Sequence, residues 1–328
     1  MLEIKKYGSH GLKLSELDIG LDLSGFYASH VFISHGHADH VPRDRTMTVY
    51  ATSPTAAIMK ARGFNGKIIT LPFYEKARLP NATVQFYPAG HILGSAMTYI
   101  QSDMGNVLYT GDYRNPPSPA SEGFELPDDV DYLITEATFN LPVYKWLSHE
   151  FLFKQIRDFA IDSIDGGFTP VFLCYNLGKA QEVMHALAPL GKQVQIHNGG
   201  LTLCDIYEQF GVNLGTYEAY KSTTVEKGIL VTPASSLEQS MVKNIRHKKI
   251  AYVSGWASRE SCRNQLNVDK LIPLSDHIDF FELIKLCKLL NPKHVYITHT
   301  PNADVVRYYL SKAGVASTDL QNDYVNDD

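Results

Sequence analysis

The chain has 328 residues, enough for one large domain or two ordinary ones, and its 44% hydrophobic and 20% charged composition fits a protein with a substantial buried core. A net charge of -5 excludes a uniformly basic coating protein, while leaving local patches of either sign open. No stretch is apolar for long enough to span a bilayer, and the opening MLEIKKYGSH has no apolar signal core. With four scattered cysteines at positions 174, 204, 262 and 287 that suit reduced thiols, this leads us to expect a soluble, cytoplasmic protein.

The first 140 residues read mainly as short strands. HVFIS (30–34), TVQFYPA (83–89), SAMTYI (95–100), NVLYT (106–110) and DYLIT (131–135) are rich in β-branched and aromatic residues and are separated by Gly, Pro and Asp. From about residue 147 the texture changes to alternating helices and strands. HEFLFKQIRDFAIDSID is helical in its apolar spacing, TPVFLCY is a buried strand, and GKAQEVMHALAPLG is a helix closed by Gly191. The alternation continues through QVQIH, LTLCDIYEQFG, KGILVTP and KKIAYVSG. It ends with a helix in HIDFFELIKLCKLL, a strand in HVYITH and a helix in NADVVRYYLSKAG. The tail QNDYVNDD is expected to fray. NLGKAQ lacks the full Gly-x4-Gly-Lys spacing of a phosphate loop and reads as a helix start.

The chemistry concentrates in Ser34-His35-Gly36-His37-Ala38-Asp39-His40, which comes directly after a short apolar strand. If the backbone stays extended, alternate residues point one way, so His35, His37 and Asp39 share a face. Imidazole nitrogens and carboxylate oxygens are the ligands of Zn²⁺ and similar ions, and four such groups within six residues exceed what one ion would take from so short a segment. Two neighbouring ions would use them all. Further ligands lie downstream at strand ends beside glycine: His91 in PAGHILGS and Asp112 in YTGDY.

The order Asp22, HxHxDH, His91, Asp112 resembles the metallo-β-lactamase superfamily, and the residues downstream of Asp112 resemble its nucleic-acid-processing β-CASP branch. Glu136 in TEATF, His277 in LSDH and His299 in THT are similar to three further motifs of that branch. TEATFNLPVY, YNLGKAQEV and VSGWASRE are similar to a bacterial group of ligase-associated DNA exonucleases and RNA 3′-end processing factor-like proteins. The resemblance implies an α/β fold, a four-layer αββα sandwich formed by residues 1–146 and 268–328, with an α/β β-CASP domain inserted at 147–267 and an active site in the cleft between them. It implies one divalent ion (Zn or Mn) on His35, His37 and His91, a second on Asp39, His40 and His299, and Asp112 bridging both. Asp22 would orient a histidine ligand, with Asp18 a rival for that place. Asp39, Asp112, Glu136 and His277 form the implied catalytic set. Glu136 would hold the His277 ring, and His277 would donate a proton to the departing oxygen.

The function expected is hydrolysis of phosphodiesters in nucleic acid, as an exonuclease on single-stranded DNA ends in repair, with a DNA ligase or helicase as partner and no membrane association. The alternatives are an endo- or exoribonuclease of the same branch, a small-molecule metallo-hydrolase, and a metal-stabilised scaffold without turnover. Elsewhere, Trp256 is expected in the core, His197 in a turn, and the basic run 243–249 at a solvated helix end.

Overall fold

The computed structural model describes residues 3–8, 10–44 and 46–320, and the tail expected to fray lies outside them. The described chain is mixed α/β with three sheets. It divides by its contacts into two units: Met1–Pro117, Ser121–Lys145 and His277–Asp328 form the first, and Ser118–Ala120 with Trp146–Asp276 form the second.

The first sheet of the first unit has the sequential order β1 (Ile4–Tyr7), β2 (Gly11–Leu14), β3 (Ile19–Leu21), β4 (His30–Phe32), β5 (Val49–Ala51) and β6 (Ile68–Thr70). Its strands alternate sides, as period-2 backbones must. Phe32 turns inward to a layer shared with Leu12, Leu14, Ile19 and Leu21, while Val31 and Ile33 turn outward beside Val49, Ala51 and Met59. Met59 belongs to a helix at Ser53–Ala61 that the strand-rich reading of this region did not foresee. Its signals are local: Thr52 accepts a hydrogen bond from the Thr55 amide as N-cap, and proline occupies the first turn, where its missing N–H costs nothing.

The second sheet begins with β7 (Ala77–Arg78), β8 (Thr83–Pro88), β9 (Ala96–Ser102), β10 (Gly105–Tyr109) and β11 (Tyr132–Glu136). Val84, Phe86, Ile100, Val107, Tyr109 and Ile134 meet the inward residues of the first sheet in one apolar layer. Met97, Tyr99, Leu108 and Leu133 face the other way and are covered by the helices Phe280–Leu290 and Asp304–Lys312.

The second unit contains a wholly parallel sheet: β12 (Thr169–Leu173), β13 (Val194–Ile196), β14 (Tyr217–Ala219), β15 (Ile229–Thr232), β16 (Lys248–Val253) and β17 (Lys270–Ile272), in the order β14-β13-β15-β12-β16-β17. β12, β13 and β15 are buried along their whole length, as expected for strands covered on both faces. Because β17 is the last strand of this sheet, the second unit runs to Asp276, beyond the expected boundary at residue 267. NLGKAQ is a helix start, with Gly178 at φ 89° before Lys179–Leu187. Lys179 is buried on Glu182 at 2.6 Å, so its charge is already partnered.

The chain then returns to the first unit with β18 (His294–Thr298) and β19 (Ser317–Asp319), completing the second sheet in the order β19-β18-β11-β10-β9-β8-β7. Two expectations meet different outcomes in the second unit. Trp256 is 36% exposed and carries the Arg259 guanidinium 4.8 Å over its ring, so it is a surface residue rather than a core one. In the basic run, Lys248 donates to the carbonyls of Lys243 and Ile245 and Lys243 pairs with Glu238, which is the behaviour of a solvated helix end. His197 caps the helix Asn198–Gln209, its Nδ1 accepting from the Gly199 amide. All four cysteines are free thiols.

Candidate metal centre

Asp22 comes after β3, His35 after β4, His91 after β8, Asp112 after β10 and His299 after β18, while Glu136 ends β11. β8 lies antiparallel to β9 and β9 to β10, while β10, β11 and β18 are parallel, so β8, β10, β11 and β18 all present their carboxyl ends at one edge of the second sheet. Carboxyl ends of strands are where α/β sheets gather ligands, because the chain leaves the ladder there and frees its side chains to converge.

Two glycines permit the close approach. Gly111 has φ 54°, and a Cβ there would stand 2.5 Å from the Ser34 Cβ. At Gly36 a Cβ would stand 2.5 Å from a methyl of Ile58. Two non-glycine residues are held in the left-handed region as well, Asp22 at φ 48° and His299 at φ 47°. Such backbones cost about 1 kcal/mol or more each and persist where surrounding contacts hold them.

Those contacts are dense at Asp22, which is buried. Its Oδ1 accepts from the Ser34 amide at 2.7 Å, and its Oδ2 accepts from Ser34 Oγ at 2.6 Å, His40 Nδ1 at 2.7 Å and Tyr109 Oη at 2.8 Å. Asp18, the rival for this place, points instead toward Lys13 at 3.7 Å with half its side chain in solvent. With the Ser34 hydroxyl committed to Asp22, its oxygen is left to accept from His35 Nδ1 at 2.9 Å. Both imidazoles therefore carry their proton on Nδ1 and aim Nε2 inward as a lone pair.

Four ligand groups converge where those lone pairs point. His35 Nε2 lies 3.0 Å from His37 Nδ1, and His91 Nε2 lies 3.2 Å from the same nitrogen. Asp112 Oδ2 stands 3.6 Å from His35 Nε2 and 3.9 Å from His91 Nε2. A four-coordinate ion with ligand bonds of about 2.0–2.1 Å separates its ligand atoms by about 3.3 Å, so these spacings match the edges of such a shell. All four residues are buried.

A second group adjoins the first across Asp112. His40 Nε2 lies 3.4 Å from Asp112 Oδ2 and His299 Nδ1 lies 3.6 Å from Oδ1. Nevertheless His40 Nε2 and both ring nitrogens of His299 are buried without meeting hydrogen-bond geometry to any described partner. Buried nitrogens of this kind are costly unless something binds them, which is the signature of a site built for a cation. The residues present therefore fit the implied metals.

Asp39 is the exception among the expected ligands. Its side chain is 55% exposed, its carboxylate stands 3.6 Å from His10 Nε2, and it belongs to none of the close ligand groups. The helical turn at His37–Val41 breaks the strand alternation that put Asp39 on the face of His35 and His37: the His40 and Val41 amides both bond back to the His37 carbonyl. In its place the structure brings His10 against His40 and His299, within a set of ligand atoms lying no more than 4.8 Å apart. Sequence reasoning missed His10, Ser34 and Tyr109. A lone histidine in a hairpin carries no local signal, and serine and tyrosine beside the cluster declare a role only once the pairing is known.

Glu136 and His277 form the third part. His277 Nδ1 donates to Glu136 at 2.8 and 2.9 Å to its two oxygens, and Glu136 is further held by the Tyr113 amide at 3.1 Å and by the Thr138 amide and hydroxyl. The orientation leaves His277 Nε2 4.0 Å from Asp112 Oδ2. The structure thus brings Glu136 and His277 together as a hydrogen-bonded carboxylate–imidazole pair.

The electrostatics of the centre are polarised. Burial, with the neighbouring His40, His91 and His37, pushes His35 well below the usual imidazole range. Burial also disfavours the charged forms of His40 and Asp112, but their mutual attraction prevails: Asp112 and Asp22 raise His40 well above its ordinary value, while His40, His277 and His299 hold Asp112 well below the carboxylate range. Burial, with His299 and His40, lowers His10 to about 4. A histidine with depressed folded pKa binds fewer protons than the unfolded chain once pH drops below about 6.5, so stability falls with pH there. His40, raised, keeps its full contribution throughout that range. Chelator-treated protein is therefore expected to lose stability steadily from about pH 6.5 toward pH 4, as read by melting temperature across a buffer series. A flat or rising profile would contradict this balance.

No family profile matches the chain. Over 295 residues it is 32% identical to a protein of Opitutus terrae named "Probable DNA ligase", covering 89% of this chain and 28% of that one. It is 30% identical over 179 residues to an "RNase J-like protein" of Methanocaldococcus jannaschii, covering 47% of this chain and 42% of the relative. Over 120 residues, 36% of this chain and 17% of the relative, it is 32% identical to "Cleavage and polyadenylation specificity factor 73" of Drosophila melanogaster. The chain thus spans less than half the length of these relatives. A crystal structure of a protein of unknown function from Enterococcus faecalis shares the fold with TM-score 0.61 at 16% identity, over 89% of this chain and 79% of that one. With these relatives and this constellation of histidines and carboxylates, the chain belongs to the β-CASP branch of the metallo-β-lactamase superfamily.

Proposed function

We propose that the chain is a metal-dependent nuclease that hydrolyses phosphodiester bonds, with single-stranded DNA ends as its substrate. The observation that carries this reading is the joint presence of two adjoining ligand groups around Asp112 and an oriented Glu136–His277 pair beside them. His35, His37 and His91 would hold one divalent ion, His40, His299 and Asp39 would hold a second, and Asp112 would serve both. Bound there, the ions would lower the pKa of a water and offset the charge of a phosphodiester.

The remaining steps belong to side chains of this protein. Glu136 keeps the Nδ1 proton of His277, so Nε2 is the atom that can carry and release a proton. Asp112 draws that face of the ring toward the ligand groups. A proton delivered from Nε2 to the departing oxygen would relieve the charge that develops as the ester bond breaks. The fold this reading assigns is the four-layer sandwich for the first unit, with the second unit, running to Asp276, as the β-CASP insertion.

DNA is favoured over RNA because the relative matched along most of this chain is named for a DNA ligase, which also makes a ligase the partner of choice. The relatives named for RNase J and for a cleavage and polyadenylation factor support RNA as the second reading. Among the described residues no helix is long and apolar enough to cross a membrane.

The test is digestion of matched end-labelled single-stranded DNA and RNA with Mn²⁺, Zn²⁺ or chelator. Metal-dependent shortening of DNA is expected, and cleavage of RNA alone would transfer the substrate. No cleavage of either by metal-loaded protein would sink the nuclease reading. In the same assay His277→Ala is expected to slow turnover by about 10²- to 10⁴-fold. Glu136→Gln should slow it less, because the ring keeps a partner but loses the charge that favours its protonated form. Unchanged turnover in His277→Ala would remove the proton-donor role.

A further inference from the structure

We propose that His10 is a ligand of the second metal position, supplying a third imidazole beside His40 and His299. The proposal rests on the two-ion reading above and adds to it a residue from a part of the chain that reading does not use.

Strand pairing brings His10 to the centre. β2 runs antiparallel to β3 with Leu12 opposite Leu21, a register that sets Gly11 opposite Asp22 and so brings His10, the next residue, to the same end of β3. Asp22 in turn holds His40. The His10 ring consequently lies 4.6 Å from the His40 ring and 4.3 Å from the His299 ring, centroid to centroid, tilted at 45° and 53°. One ligand atom from each of the three lies within 4.8 Å of the other two.

The group is built for a cation rather than for packing. The His40 and His299 side chains are 1% and 4% exposed, yet His40 Nε2 and both His299 nitrogens satisfy no hydrogen bond to a described partner. Three imidazoles crowded together repel when protonated, and neutral imidazole is the form that binds metal. Asp112 completes the donor set, with its oxygens 3.4 and 3.6 Å from His40 and His299. His10 Nε2 is also 3.6 Å from the Asp39 carboxylate, so the two residues occupy the solvent side of the same position. Of the two, the imidazole and not the carboxylate is the group inside the ligand set.

The test compares wild type, His10→Ala, Asp39→Ala and the double variant. Zinc and manganese per chain are counted by mass spectrometry after loading and gel filtration, and affinities are measured by competition with a chelating dye. Wild type should hold two ions. His10→Ala should keep one tightly and bind the second at least about 10- to 100-fold more weakly, and the double variant should bind it more weakly than Asp39→Ala alone. His10→Gln, closer to histidine in size, repeats the comparison, and far-UV circular dichroism of the metal-free forms shows that each variant is folded. Two ions at unchanged affinity in His10→Ala would overturn the proposal. So would a double variant indistinguishable from Asp39→Ala, since His10 would then act only through Asp39. Fewer than two ions in wild type would instead strike the two-ion reading beneath it.

Discussion

Asp112→Ala is expected to lower metal-dependent cleavage by on the order of 10³-fold or more and to reduce the metal bound per chain. No other side chain at the centre faces so many partners. Its two oxygens lie 3.4 to 4.0 Å from nitrogens of His35, His40, His91, His277 and His299. Without it, five imidazoles lose the carboxylate they share, Asp22 and Glu136 remain only on the far nitrogens of His40 and His277, and the two ligand groups lose their common member. Asp112→Asn separates the effects, since it keeps the shape and removes the charge. It should also bring His40 down toward its ordinary range, because Asp112 is the largest influence raising it, and histidine NMR titration of the metal-free protein would show this. Retention of full activity by both variants would refute the assignment of Asp112 as the bridging ligand.

Asp22→Ala should have the largest effect on folding of any substitution near the site, about 3–5 kcal/mol. Removing the carboxylate leaves the Ser34 amide, the Ser34 hydroxyl, His40 Nδ1 and the Tyr109 hydroxyl without their acceptor, all buried. Each orphaned donor costs about 1–3 kcal/mol, reduced where water can enter the space left behind. Alanine also tolerates the positive φ at this position less well than aspartate, a small further cost. Both tryptophans, Trp146 and Trp256, lie in the second unit, so their fluorescence is a poor reporter here. Hydrogen exchange of the amides in residues 19–34 reports the first unit directly, and a loss below about 1 kcal/mol would contradict the count of unmet donors.

Much of this centre was legible because its ligands sit at strand ends with local signatures. His35, His37, His91 and Asp112 come after apolar or aromatic runs and stand beside glycines, and all four converge as a ligand group. The Glu136–His277 bond, across 141 residues, came from resemblance rather than from any local rule. Asp39 shows where periodicity ends: alternation predicts its direction only while the strand continues, and the turn at His37–Val41 redirects it. His10 was illegible for the opposite reason, since its position depends on β2–β3 register, a long-range property. The helix Ser53–Ala61 was lost among strands because its nine residues span too few turns to display a period. Trp256 was assigned by its hydrophobicity, but a large ring can stay at the surface when a guanidinium covers one face.

The order of strands in the second sheet bears on how the protein is made. β18 lies between β11 and β19, and it delivers His299 to a site whose other end is anchored by His10 and Asp22. During synthesis, the ribosome must pass the whole second unit before the strand that carries His299 can dock on β11. A half-made chain can hold the histidines of the HxHxDH segment but not a finished site. The full ligand set around Asp112 closes only when the strand bearing His299 has docked on β11.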